Sequence, residues 1–124
     1  MKRLKVAVIG VGYLGRFHAQ KFALLENVEL VGVVDIDKAR AQEVAGEVGT
    51  TPYTSVESIK GMIDAASVAV PTSRHAEVAI PLLEDGVAVL LEKPVAGRLD
   101  EASSIIDASR KSGAILQIGH LELF

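Results

Sequence analysis

The 124 residues contain no cysteine and no tryptophan. Without thiols, disulfides and thiolate metal sites are excluded. Aromatic residues amount to only 4%, so a core must be built from Val, Leu, Ile and Ala. No basic cluster interrupts a net charge of −3, which removes the electrostatic footprint of a nucleic-acid binder. The three histidines, His18, His75 and His120, are too far apart to form a metal-ligand motif, and no metal is expected. Long hydrophobic runs are missing as well. The basic start, Met1 to Lys5, leads into only four continuously apolar residues, Val6 to Ile9. That is too short for the apolar region of a signal peptide, and no segment approaches transmembrane length. A cytoplasmic location without a membrane partner is the expectation.

What is present is an ordinary globular composition, 49% apolar and 23% charged, which argues against disorder. The length suits one domain, residues 1–124, with a single core. The chain is organised around Val6–Gly15, where an apolar run stops at Gly10 and is followed by Gly12 and Gly15 in the spacing G-x-G-x-x-G. If a strand precedes and a helix follows, the pattern cradles a pyrophosphate. Gly10 would make the turn, Gly12 would admit the phosphates close to the backbone, and Gly15 would let the helix lie tightly on its strand.

The flanking patterns supply that context. Leu4 to Ile9 reads as a strand apolar on both faces, as a central parallel strand should be. Tyr13 to Leu25 reads as a helix with Leu14, His18, Phe22 and Leu25 on one face. Val28 to Val34 is a second strand, ending at Asp35. Asp37 caps a second helix with a stripe of Ala41, Val44, Ala45 and Val48, and Gly49 stands just past its end. A short strand fits at Pro52-Tyr53. Thr54-Ser55-Val56-Glu57 matches a capping box opening a brief helix to about Lys60. Asp64 to Val70 is the fourth strand, stopped by Pro71. A helix capped by Thr72 or Ser73 follows, burying His75, Val78, Ala79 and Leu82, with Pro81 expected to kink or divide it. Val87 to Leu91 is the fifth strand. A last helix, about Asp100 to Lys111, is expected to bury Ala102, Ile105, Ile106 and Ser109, and Ala114 to Ile118 is the sixth strand. Six strands alternating with helical crossovers predict an α/β, doubly wound parallel sheet of the Rossmann type in the order 3-2-1-4-5-6.

Asp35 lies twenty residues after Gly15, where a dinucleotide site places the carboxylate that accepts both adenosine-ribose hydroxyls. It would repel a 2′-phosphate, and Asp37 adds to that charge, so NAD is favoured over NADP although Arg40 is near. The plainer reading is that Asp35 and Asp37 only cap a helix. Glu92-Lys93-Pro94 falls at the carboxyl end of the fifth strand, on the edge where such sheets bind ligands. Lys93 there could bond the nicotinamide ribose or a substrate hydroxyl and help move its proton. A solvated charge pair before a turn is the alternative. His18, on an apolar helix face, reads as a packed, hydrogen-bonded core residue. His75 is placed either to line a cofactor pocket or to seat its helix, and His120 suits a substrate-side contact.

Taken together, G-V-G-Y-L-G with His18 beyond, V-V-D-I-D, V-P-T-S-R-H-A-E-V-A, L-L-E-K-P-V-A-G and Q-I-G-H resemble the N-terminal domain of the Gfo/Idh/MocA oxidoreductases. This is the group of glucose–fructose oxidoreductase and inositol dehydrogenase. The resemblance implies reversible hydride transfer between NAD(P) and a hydroxyl of a sugar, nucleotide sugar or cyclitol. It implies that Gly10, Gly12 and Gly15, with loop amides of Tyr13 and Leu14, hold the pyrophosphate and that Asp35 holds the ribose. Pro71, Thr72 and His75 would flank the cofactor, Glu92 and Pro94 would frame it, and Lys93 would be the catalytic lysine of the E-K-P element. The Gly119-His120 ending is similar to members acting on nucleotide-activated amino sugars or uronates. Departures are the absence here of the family's second α/β domain and of an arginine soon after Gly-His. The expectation is therefore a fragment, an excised domain or a stand-alone binder that takes the cofactor with little turnover, and that meets a sugar-like substrate only with a second domain. An apolar face left by that domain would offer a route to a homo-oligomer. A non-catalytic nucleotide-binding or scaffold domain, natural or engineered, is the competing class, and another kind of Rossmann dehydrogenase is a third.

Overall fold

The computed structural model describes residues 3–92 and 95–119. Its centre is a six-stranded sheet made of β1 (Leu4–Ile9), β2 (Val28–Val34), β3 (Thr51–Tyr53), β4 (Ala65–Val68), β5 (Ala88–Glu92) and β6 (Leu116–Gly119). The order is β3-β2-β1-β4-β5-β6 and every pairing is parallel, as the alternating pattern predicts. The helices are α1 (Tyr13–Ala23), α2 (Lys38–Val48), α3 (His75–Glu84) and α4 (Leu99–Ser112), with short 3-10 turns at Val56–Ile59 and Thr72–Arg74. The order reverses between β1 and β4, so the crevice at their carboxyl ends is where a ligand fits.

Each face of the sheet has its own aliphatic core, as the shortage of aromatics requires. On one side Val8, Val11 and Val33 meet Ala19 of α1 and Val44 and Ala45 of α2. On the other, Ala7, Ile9, Val68, Val89 and Leu91 meet Val78, Ala79, Leu82 and Leu83 of α3 and Ile105 and Ala108 of α4. On the α1 side, Leu90 and Gln117 help to line a shallow cleft of about 200 Å³.

Local chemistry explains most boundaries. The Asp37 carboxylate accepts from the Arg40 amide at 3.1 Å and caps α2, and Gly49 closes that helix in the left-handed conformation. Elsewhere the chain departs from its local pattern. α1 ends at Ala23, so Leu25 is exposed. Ser55 rather than Thr54 caps the 3-10 turn, accepting from the Glu57 amide. Neither Thr72 nor Ser73 caps α3, because the chain spends these residues on a 3-10 turn and the helix begins at His75 without a side-chain cap. Pro81 lies within α3, which continues through it to Glu84. Pro81 and Glu77 are both exposed, so the hydrogen bond lost at the Glu77 carbonyl faces water. In α4 the buried line is Ile105 and Ala108, whereas Ile106 is exposed and Ala102 and Ser109 are half-buried. The helix packs against α3, and Ala108 takes the buried place expected of Ile106. Finally, Val6 pairs with Leu30 but Ala7 pairs with Gly32, an irregularity around Val31 in β2 that is not visible in the alternation of residues.

Candidate functional site

The three glycines of the first loop have three different surroundings. Gly10 has a φ of +88°, and a Cβ there would stand 2.9 Å from the Ala69 carbonyl oxygen at the exit of β4. A side chain at Gly15 would overlap the Gly10 carbonyl, so α1 can lie this close to β1 only without one. At Gly12 nothing stands within 4 Å of the missing Cβ. This glycine is the N-cap of α1, and no side chain caps that helix. The first amides of a helix have no partner within it. Gly12 lines the cleft beside this loop, with the positive end of the helix dipole behind it. Tyr13 is exposed and Leu14 half-buried, so what both bring to the loop is backbone.

The loop borders a cleft of about 710 Å³, which runs from Gly10 and Gly12 to Asp35, Ile36 and Arg40, and is closed by Thr54 to Val56, Ala69 to Pro71 and Arg74. Asp35 is buried, at 8% exposure. One carboxylate oxygen accepts from the Val11 amide at 2.9 Å and the other from the Asp37 amide at 2.9 Å. The side chain thus ties the glycine loop to the end of β2, and it does not cap α2. Asp35 lines the cleft, and each of its oxygens has a second lone pair able to accept a further hydrogen bond. The Arg40 guanidinium stands 3.9 Å from the Asp35 carboxylate.

The far end is built differently. Pro71 lines the cleft and Thr72 sits half-buried behind it. His75 is 3% exposed, and its ring nitrogens face the carbonyl oxygens of Val95 at 2.8 Å and Val70 at 3.1 Å. Its ring therefore seats the loops after β4 and β5 and does not line the cleft. Glu92 ends β5, with one carboxylate oxygen 3.8 Å from His18 Nε2. The His18 ring is buried and its Nδ1 lies 2.5 Å from Ser67 Oγ. Burial lowers the pKa of His18 from its ordinary value, while the Glu92 carboxylate works in the opposite direction. Lys93, Pro94 and His120 lie outside the described residues. Among the described residues no group of acidic, histidine or cysteine side chains could hold a metal ion, and no helix is long and apolar enough to cross a membrane.

No spacing in the sequence marks Arg74. It borders the cleft and binds Glu77 at 2.7 Å. Its signal is position alone, as a cation closing the turn after β4. Thr54 and Ser55 also reach the cleft, although their pattern announced only a helix start.

An open glycine cradle beside a carboxylate, at the reversal point of a parallel sheet, fits a dinucleotide. The comparisons with known proteins agree. The oxidoreductase family with an NAD-binding Rossmann fold, Gfo/Idh/MocA, matches residues 4–120. UDP-N-acetylglucosamine 3-dehydrogenase of Acidithiobacillus ferrooxidans is 40% identical over 98% of this chain, which spans 38% of that protein. The scyllo-inositol 2-dehydrogenase (NAD(+)) of Bacillus subtilis is 33% identical, with 98% of this chain and 37% of that protein aligned. Among solved structures, the Acidithiobacillus enzyme superposes with a TM-score of 0.89, over 96% of this chain and 39% of that one. GenD2 from gentamicin A biosynthesis, in complex with NAD, superposes at 0.88 with 29% identity, over 96% and 35%. The chain spans less than two fifths of the length of these relatives. It belongs to the Gfo/Idh/MocA oxidoreductase family, of which it is the NAD-binding Rossmann domain.

Proposed function

We propose that this chain is the cofactor-binding half of a dehydrogenase that moves hydride between NAD and a hydroxyl of a sugar, nucleotide sugar or cyclitol. The observation that carries the reading is the pairing of the open Gly12 cradle with the buried Asp35 carboxylate at the two ends of one bond, from the Val11 amide to Asp35. Loop amides and the α1 dipole hold the pyrophosphate. Asp35, already fixed by two backbone amides, accepts from the ribose hydroxyls without having to be ordered on binding. A 2′-phosphate would meet that buried carboxylate, so NAD is preferred to NADP, with Arg40 softening the preference. The bound nicotinamide supplies the hydride acceptor. Lys93, next after Glu92 at the carboxyl edge, is the residue for the substrate hydroxyl's proton. The relatives named above, a UDP-N-acetylglucosamine and an inositol dehydrogenase, support the substrate class, and a cytoplasmic location is part of the same reading.

Titrating the 124-residue chain with NADH and NADPH, followed by nicotinamide fluorescence, tests the reading. Saturable NADH binding tighter than NADPH is expected. Asp35→Ala should weaken NADH by about tenfold or more, the scale of a lost charge-assisted hydrogen bond, and NADPH by less. A wild-type chain that saturates with neither nucleotide refutes it.

A further inference from the structure

The cleft accounts for Asp35 and the glycine loop but leaves a second buried polar group unexplained. His18, Ser67 and Glu92 come from α1, β4 and β5 and meet on the α1 side of the sheet. His18 is 6% exposed and Ser67 1%, so neither is available to solvent as a nucleophile or base. The ring's Nδ1 is 2.5 Å from Ser67 Oγ, and Nε2 has no hydrogen-bond partner among the described residues. A buried N–H without a partner is costly, and the Glu92 carboxylate lies 3.8 Å from this nitrogen.

The charge of Glu92 decides which nitrogen carries the proton. With the proton on Nδ1, the bare lone pair of Nε2 would face an anion. With the proton on Nε2, a positive N–H faces it instead, and the Ser67 hydroxyl donates to Nδ1. Ser67 thereby sets the tautomer and His18 presents a donor to Glu92. Gly119 of β6 is the register partner of Glu92. A Cβ there would lie 3.3 Å from a Leu90 methyl and 3.7 Å from Glu92 Oε1. Glu92 stands at the end of the sheet away from Asp35. A dinucleotide whose adenosine sits at Asp35 and whose phosphates sit at Gly12 brings its nicotinamide to that end.

We propose that His18 is a positioning residue, which holds the Glu92 carboxylate, and with it the strand end immediately before Lys93, at the nicotinamide end of the site. The inference rests on the cofactor reading above and adds to it a linkage from the first helix, through Ser67, to the reactive end. Its signature is asymmetry: loss of the His18 donor disturbs the nicotinamide half of the cofactor and leaves the adenosine half alone.

The test uses the 124-residue chain and two ligands, NADH and ADP-ribose, the second lacking the nicotinamide. His18→Leu should weaken NADH roughly tenfold and ADP-ribose less than twofold, and His18→Gln, which keeps a donor, should recover most of the loss. Ser67→Ala leaves the ring in place and should weaken NADH by about threefold, which covers the case of a His18→Leu chain that does not fold. Nitrogen NMR of the histidine rings should show His18 protonated on Nε2. Equal weakening of both ligands, no weakening of NADH, or a His18 ring protonated on Nδ1 overturns the proposal. A wild-type chain that binds neither ligand overturns the cofactor reading itself, and is distinguished from the other failures by appearing before any substitution is made.

Discussion

Replacing Gly15 by alanine puts the opening motif under the severest strain. In a helix interior the exchange would ordinarily stabilise by about 1 kcal/mol. Here the new methyl overlaps the Gly10 carbonyl, which shares a peptide plane with the Val11 amide bonded to Asp35, so neither group can rotate away. The N-terminal turn of α1 must lift from β1. Beneath it lie Val8, Val11 and Ala19, none more than 1% exposed. Uncovering the equivalent of about five methylenes at ~0.8 kcal/mol each costs roughly 4 kcal/mol. Allowing for the helix propensity gained, Gly15→Ala should lose about 3 kcal/mol, a large part of the stability of a domain this size. Gly12→Ala is the matched control. Its methyl enters empty space within the protein, so stability should change by no more than about 1 kcal/mol, while NADH binding should fall by about tenfold or more because the methyl occupies the phosphate cradle. Urea unfolding and NADH titration of both variants measure these effects. A Gly15→Ala chain as stable as wild type, or a Gly12→Ala chain with undiminished NADH affinity, refutes the reasoning.

Other expected outcomes follow from single contacts. Because burial lowers the His18 pKa, the folded chain binds fewer protons than the unfolded one just below pH 6.5, the ordinary histidine value. Its stability should therefore be fully present above pH 6.5 and fall with acidity, by up to about 1.4 kcal/mol per pH unit, until the lowered folded value is passed. His18→Gln should flatten that slope in a series of urea melts. His75→Ala frees the carbonyls of Val70 and Val95 and opens a cavity, so a loss of about 2–4 kcal/mol is expected in thermal or chemical unfolding. An unchanged midpoint would show that the ring does not seat these loops.

The sheet order was legible because strand and helix alternate with strong local signals. Asp37 and Gly49 act on their own neighbours, and both ends of α2 stand where those residues place them. What escaped the sequence depends on distant partners. Ala108 replaces Ile106 in the core, where α4 packs against α3, and no local periodicity records that. The irregularity at Val31 is set by the match between two strands 25 residues apart. In the site, the glycines and Asp35 announced themselves by spacing. The bond from the Val11 amide to Asp35, which makes loop and carboxylate one unit, could be seen only once the fold had brought them together. His75 was legible as a helix-start histidine on the ligand edge, and its turning inward to two carbonyls was not.

On the proposed reading, the Gly10–Gly15 loop and Asp35 together receive NAD. Amide NMR of the 124-residue chain, titrated with NADH, tests it residue by residue. Saturable shifts concentrated at Gly10 to Gly15 and at Asp35 to Asp37, with small changes along the sheet face lined by Leu90 and Gln117, are the predicted result. Absence of any shift at millimolar NADH, or shifts confined to that sheet face, would contradict it.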